Sequence, residues 1–329
     1  MRFLTSFSFY LLLGFCITYI NPAFAQENEK EMPQTEASDE QDLYVPDKGF
    51  HLGVIIGAYW ANRNTAYLYD GYGYDIYGQR NSFVNSVLRD QIVNVYGGGN
   101  GGVDYIAQLL NVNPGDWTFT ESDMPVNLRY TTTYVVGLNT RYRIDKKSAI
   151  LLNINGTKLN VNGKFTITAL NTTGAGNGLG NGFNNTPRIN QFAIVGSEQR
   201  LMFQFGYQRL LGKNKRLNFL VEAGMNIIMS KAQKNQAVFT SDFNGGANNF
   251  TIDLMNVYRQ SQYYYYSAKY FTGVGIGAFA GLGINFNINP KYSIQLLYNP
   301  SYDRITLGYA PTFKLQNACG FRVYYNLSY

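Results

Sequence analysis

Side chains able to do chemistry are scarce in this chain of 329 residues: one histidine, His51, and two cysteines, Cys16 and Cys319. A zinc site takes nitrogen, sulfur or oxygen ligands in a tetrahedral set, which one His and one or two distant Cys cannot supply. Glu121 and Asp123 could approach a Ca²⁺ ion, but two carboxylates fall well short of the six to eight oxygens, roughly, that it takes. Gly97-Gly98-Gly99-Asn100-Gly101-Gly102 lacks the Lys-Ser/Thr that completes a phosphate loop, and Gly174 to Gly182 opens no helix. Acyl transfer or hydrolysis needs a base beside a nucleophile or an acid. His51 opens an alternating segment far from the long loops, so it reads as an interior or interface residue. No catalytic, cofactor or metal residue is assigned, and no cofactor is expected.

What remains is charge gathered on one side of alternating segments. Arg129, Arg141, Arg143, Lys314 and Arg322 share a face with Glu222, the one carboxylate found there, and with Gln204, Gln208, Asn226, Gln295 and Gln316. Counted from the tight turns, Glu222 and Arg322 sit at similar heights. Glu222 is therefore expected to pair with Arg322 or Arg141, within a polar network of Glu222, Arg322, Arg141 and Arg129. A rigid plug is one reading of that network; a gated ion path is the other.

The segments that would hold these residues alternate apolar and polar side chains at a period of two. Strand one is Phe50 to Trp60, with Phe50, Leu52, Val54 and Ile56 on one face and His51, Gly53 and Gly57 on the other. Strand two runs from about Leu128 to Ile144, and strand three begins at Ala149 and passes Asn155. Within strand three the apolar set moves from Ile150, Leu152 and Ile154 to Leu159, Val161 and Phe165, which predicts a bulge near Gly156. Strand four is Gln199 to Leu211, strand five Leu217 to Met229, strand six Gly273 to Asn287, strand seven Tyr292 to Asn299 and strand eight Phe313 to Tyr329. Segments of roughly ten residues with this dyad period are the spanning unit of a membrane barrel. The fold expected is an all-β, eight-stranded antiparallel transmembrane β-barrel. Its lumen is just wide enough for side chains.

Connections sort by length. Tight turns fall at Asp145-Lys146-Lys147, Gly212-Lys213-Asn214-Lys215 and Asn289-Pro290-Lys291, and belong on the periplasmic side with both termini. Long connections at roughly 61–126, 173–195 and 232–267, and a shorter one near 302–311, belong outside. The first is a large extracellular loop with helical period over Ser82–Val93 and Val103–Leu110, so it should fold as a cap over the barrel mouth. Its tyrosines Tyr67, Tyr69, Tyr72, Tyr74 and Tyr77, and the run Tyr263 to Tyr266, admit two readings. One is an aromatic belt at the membrane interface; the other is an outer recognition surface for a protein or glycan.

Met1-Arg2, the apolar run Phe7 to Ile20 and the small-residue site Ala23-Phe24-Ala25 predict a signal peptide over 1–25. A lipoprotein signal at Cys16 is the alternative, and bulky Phe15 opposes it. Residues 26–48 form an acidic leader expected to be disordered in the periplasm. From Gly49 to the end, residues 49–329 make the barrel. There the chain holds 24 Lys and Arg against 13 Asp and Glu, because Arg2, Lys30 and Lys48 are the cations and eight of the 21 acids the anions before it. No nucleic-acid recognition fold accompanies that excess, so no nucleic-acid partner is expected. Aromatics at 16% and charges at 15% suit a lipid-facing wall better than a soluble enzyme. Phe321, Val323, Tyr325, Leu327 and Tyr329 lie on one face of the last strand and read as a carboxy-terminal assembly signal for the barrel assembly machinery.

The opening Gly49-Phe50-His51-Leu52-Gly53-Val54, the strand Gly273-Val274-Gly275-Ile276-Gly277 and the ending Phe321-Arg322-Val323-Tyr324-Tyr325 resemble outer-membrane β-barrel proteins of Bacteroidota. In layout the chain is similar to the PorT-like barrels. The resemblance implies residence in a Gram-negative outer membrane, contact with its lipid, and a role as accessory to a secretion or assembly complex. The expected function is a non-enzymatic barrel with a side-chain-filled lumen and outer loops that bind a protein partner. A small channel or transporter is the alternative, and a lipid-modifying barrel enzyme the third reading.

Overall fold

The computed structural model describes residues 48–75, 77–99, 101–170, 187–212, 214, 216–240, 249–260, 271–308 and 312–327. The signal peptide, most of the acidic leader, Gly174 to Gly182, Tyr263 to Tyr266 and Tyr329 lie outside the described residues.

The strands in chain order are β1 (Gly49–Trp60), β2 (Trp117–Thr118), β3 (Val126–Tyr130), β4 (Thr133–Arg143), β5 (Ser148–Ala169) and β6 (Arg188–Leu211). They continue with β7 (Leu217–Phe239), β8 (Phe250–Asp253), β9 (Thr272–Asn287), β10 (Tyr292–Tyr298), β11 (Ser301–Arg304) and β12 (Phe313–Asn326). Eight members close a ring of antiparallel neighbours, β1–β4–β5–β6–β7–β9–(β10, β11)–β12, and β12 returns to β1 with Val54 opposite Val323. The seventh member is split at Asn299-Pro300, where proline has no N–H to give to the ladder. Closure removes free edges from the ring.

Alternation explains both faces. Val54, Ile56, Leu138, Phe205, Met225 and Leu282 stand exposed on the outer wall, Met225 at 67%. Asn139, Arg141, Asn153, Gln208, Glu222 and Arg322 are buried inside. A contiguous apolar exterior is what soluble monomers avoid; around a polar interior it is the architecture of a membrane-spanning barrel. Phe321, Val323, Tyr325 and Leu327 all belong to that exposed outer face. Cys319 is a free thiol on the same face.

The bulge expected near Gly156 is absent. The pairing of β5 with β6 runs unbroken from Ser148↔Arg209 to Ala169↔Arg188. Odd residues point inward throughout, and it is the surroundings that change. Below Gly156 the outward residues are Ile150, Leu152 and Ile154; above it they are Lys158, Asn160, Asn162 and Lys164. Inward, Asn153 and Asn155 give way to Leu159, Val161, Phe165 and Ile167. The strand leaves one solvent for another without changing face. A register shift does occur, but in β7, where Gln233 is the extra residue between Ala232, opposite Glu198, and Lys234, opposite Ser197.

Strand two of the sequence reading is broken at Thr131-Thr132 into β3 and β4, and strand four begins eleven residues earlier than Gln199, at Arg188. Strand five likewise runs on to Phe239. The supposed loops 173–195 and 232–267 are thus partly strand.

The cap is built from short pieces. Its helices are shorter than the periodicity predicts: Val87–Asp90 running into a π-turn at Gln91–Val95, and Tyr105–Leu110. Asp104 caps the second by accepting from the Ala107 N–H at 2.8 Å, and Asn111 ends it at φ 54°. Leu88, Ile92, Ile106, Leu109, Leu110 and Phe119 of the cap pack against Phe165, Ile167, Phe192, Ile194 and Phe239 on the inner face of the extended β5, β6 and β7. Burial of this apolar set, not helix propensity, holds the short helices.

Candidate functional site

Two buried ion pairs occupy the barrel, one deep and one under the cap. In the deep tier the Arg322 guanidinium on β12 grips Glu222 on β7 through two hydrogen bonds, Nη1 to Oε2 at 2.7 Å and Nη2 to Oε1 at 3.0 Å. Both side chains are fully buried. Side-by-side bidentate geometry of this kind is the strong form of the pair. Gln208 Nε2 and Asn299 Nδ2 donate to the same carboxylate at 3.4 and 3.5 Å. Arg141, the other candidate partner, does not reach it. Its guanidinium lies 4.3 Å from the centre of the Tyr324 ring, and donates to Gln208 Oε1 at 3.2 Å and Ser293 Oγ at 3.3 Å. His51 Nδ1 stands 3.5 Å from the same guanidinium, buried and with no nucleophile or acid bonded to it.

Arg129 takes no part in the network: on β3, above the ring, it is exposed. The break at Thr131-Thr132 separates β3 from β4, so the parity that points Arg141 and Arg143 inward does not carry back to Arg129. Glu222 is also not the sole inward carboxylate. Glu198 and Asp303 are fully buried as well. Asp303 accepts from Asn226 Nδ2 at 3.1 Å and is bonded by Ser301. On β9, Gly277 and Gly281 leave the room these carboxylates fill; a Cβ at Gly281 would stand 2.5 Å from Glu222 Cγ.

The upper tier joins barrel to cap. Arg200 bonds Glu198 at 2.7 Å, with neither side chain exposed. Arg200 also donates to Tyr59 OH at 3.3 Å, Thr65 Oγ1 at 3.1 Å and Tyr130 OH at 3.3 Å. Tyr69 and Tyr130 donate to Glu198 Oε2 at 3.2 and 3.1 Å. Burial, with the Glu198 carboxylate beside it, holds the Tyr69 phenol well above its ordinary pKa, so it stays a donor. Gly196 lies directly against the Tyr69 ring, where any Cβ would overlap it. Partners thus come from β1, the first turns of the cap, β3 and β6. Extending the even-residue parity of β6 by one turn of the pleat past Met202 would have revealed Arg200 and Glu198.

Of the five cap tyrosines, Tyr69, Tyr72 and Tyr74 are buried, while Tyr67 and Tyr77 are exposed, at 41% and 80%. The recognition surface expected from all five therefore does not form; turns at Arg63–Thr65 and Tyr67–Tyr69 tuck the others inward. Arg80 lies 3.4 Å over the Tyr72 ring and bonds the Asp70 carboxylate at 2.7 Å.

Burial raises the Asp70 pKa above its ordinary value, against the opposing pull of Arg80. Folding therefore strengthens proton binding here, and this contribution to cap stability is full at low pH and declines as pH climbs through the raised value. In a Trp60→Phe background, Trp117 fluorescence should report a urea midpoint for cap opening that falls as pH rises above about 4, the ordinary value of an aspartate. Asp70→Asn should flatten that trend; an unchanged slope would remove Asp70 as its cause.

A space inside the ring, lined by Ile55, Tyr59, Gln204 and Asn299 among others, is about 20 Å³. That is room for about one water. On the cap, a cleft of about 530 Å³ opens among Gly97, Gly102, Asp104, Gln108, Pro114 and Gly115. Among the described residues no cluster of His, Cys, Asp and Glu could hold a metal ion.

No protein-family model matches the chain, and no curated protein does. Among solved structures it is similar to the Neisserial surface protein A, at 8% identity and a TM-score of 0.33, over 84% of this chain and 96% of that one. OprG of Pseudomonas aeruginosa aligns at 10% identity and 0.35, over 86% and 99%. Ail of Yersinia pestis, solved with the heparin analogue sucrose octasulfate, aligns at 8% and 0.30, over 85% and 99%. Likenesses this distant carry no argument about role; the eight-stranded ring stands on its own pairing.

Proposed function

We propose that this chain is a non-enzymatic outer-membrane β-barrel whose sealed lumen serves as a rigid pedestal for a partner-binding cap. The observation that carries the reading is the packed interior: two buried ion pairs and their hydrogen-bonded neighbours occupy the bore among the described residues. A conduit would need a continuous water path, and a barrel of eight strands has little room for one. The single histidine sits in the deep tier beside Arg141, away from the cap, which disfavours a lipid-modifying site.

The signal peptide and periplasmic leader, the tight turns on the periplasmic side and the outward face of Phe321, Val323, Tyr325 and Leu327 fit export and insertion by the barrel assembly machinery. The cap then faces outward, with Tyr67, Tyr77 and the glycine-lined cleft available to a protein partner. Resemblance to PorT-like barrels makes an accessory role in a secretion or assembly complex the form this takes.

Purified protein in planar bilayers should show no sustained single-channel conductance; steady open events would replace the pedestal with a channel. Tyr59 and Thr133 are direct neighbours on β1 and β4, so a short Gly-Ser turn can replace residues 61–132. Proteins recovered from native membranes with the full chain should be lost with that variant, and identical recovery would end the partner-binding reading.

A further inference from the structure

The outer wall of the ring carries a groove of about 990 Å³ that crosses from β4 to β9 just beneath the cap. Strand pairing resolves its floor into two rows. In the lower row Val136, Gly156, Leu201, Met229 and Val274 are successive cross-strand partners. Two residues nearer the cap, Lys158, Gln199, Lys231 and Thr272 are partners in the same order. The lower row is apolar except where Gly156 omits a side chain between Val136 and Leu201, and that omission deepens the groove. The upper row is polar and exposed.

Charge singles out an occupant. No acidic residue lines the groove. Lys158 and Lys231 make no ion pair with a described residue. They flank Gln199 two strands apart, a separation of roughly 10 Å between backbones. A free phosphate would satisfy the cations and leave the apolar row bare. A neutral lipid would do the reverse. A molecule that joins an acyl chain to a phosphate satisfies both rows at once, and the height is right: this is where the outward face of β5 passes from apolar to polar.

We infer that the groove is a binding site for a phosphate-bearing lipid of the cap-side leaflet. The phosphate lies between Lys158 and Lys231, with the Gln199 amide beside it. The acyl chain lies over Gly156, against Val136, Leu201 and Met229. This rests on the membrane-spanning reading of the barrel.

The test is to refold the protein into phosphatidylcholine vesicles containing a minority of phosphatidylglycerol. It is then extracted in mild detergent and the retained lipid counted by native mass spectrometry. The wild-type protein should keep phosphatidylglycerol in preference to phosphatidylcholine. Lys158→Gln with Lys231→Gln should lower that preference about thirtyfold, the scale expected for two interfacial cations acting on an anionic headgroup. Lys164→Gln with Lys234→Gln, outward cations higher on β5 and β7, should leave it unchanged. Gly156→Leu keeps both lysines and fills the floor, and should also lose the lipid. Equal retention by the Lys158/Lys231 variant would overturn the site, as would displacement of the lipid by millimolar inorganic phosphate, which would mark a simple anion site. Wild-type protein that inserts but shows no anionic preference defeats the lipid site and leaves the barrel reading standing. Protein that never enters vesicles defeats both. Circular dichroism of each variant in detergent checks that strand content is intact.

Discussion

Arg322→Met should unfold in urea far earlier than the wild-type protein, with a loss of about 3–5 kcal/mol. The substitution leaves the Glu222 carboxylate fully buried without its bidentate partner, and an isolated charge in the bore is costly to keep. Gln208 and Asn299 bond it weakly, at 3.4 and 3.5 Å, and offer no positive charge. Glu222→Gln combined with Arg322→Met should recover much of the loss, because neither charge then remains. A double-mutant cycle followed by fluorescence of refolded protein measures the coupling. If Arg322→Met loses less than about 1 kcal/mol, the value usual for exposed pairs, the deep tier does not hold the barrel together.

The second large effect should come from Arg200→Met, and it should strike the cap first. Arg200 is shared by Tyr59 on β1, Thr65 in the first turn of the cap and Tyr130 on β3. Its removal strands Glu198 beneath Tyr69 and Tyr130, again at about 3–5 kcal/mol. The deep tier is untouched, so cap and barrel should separate into two transitions. Trp117, read in the Trp60→Phe background, should lose its native signal at a urea concentration where the gel mobility of the unheated, closed barrel persists. A single transition for both readouts would mean that the upper tier belongs to the barrel alone.

Legibility of the sequence followed solvent. The ring was plain in β1, β7, β9 and β12 because lipid-facing and interior side chains alternate there without interruption, as in Val274, Ile276 and Ala278 against Gly275 and Gly277. It blurred where strands outrun the belt. In β5 the oily set crosses from outside to inside at Gly156, and a period-two rule that assumes one environment reads this as a bulge. The same assumption ended β6 at Gln199 and hid Glu198. Pairing of Glu222 with Arg322 could be anticipated from heights along two strands that face each other across the interior, since both lie within regular alternation. Arg129 could not, because Thr131-Thr132 interrupts the parity. In the cap, tyrosine spacing says little about exposure: Tyr69 and Tyr77 are alike as residues, and turns alone send one to full burial and the other to solvent.

The unbroken run of β5 from Thr157 to Ala169 has a consequence for reach. A dozen steps at about 3.3 Å each, inclined by roughly 40°, lift the crown of the molecule about 30 Å beyond the greasy girdle. Its tips therefore stand clear of the headgroup layer, so that a body meeting them need not touch the bilayer.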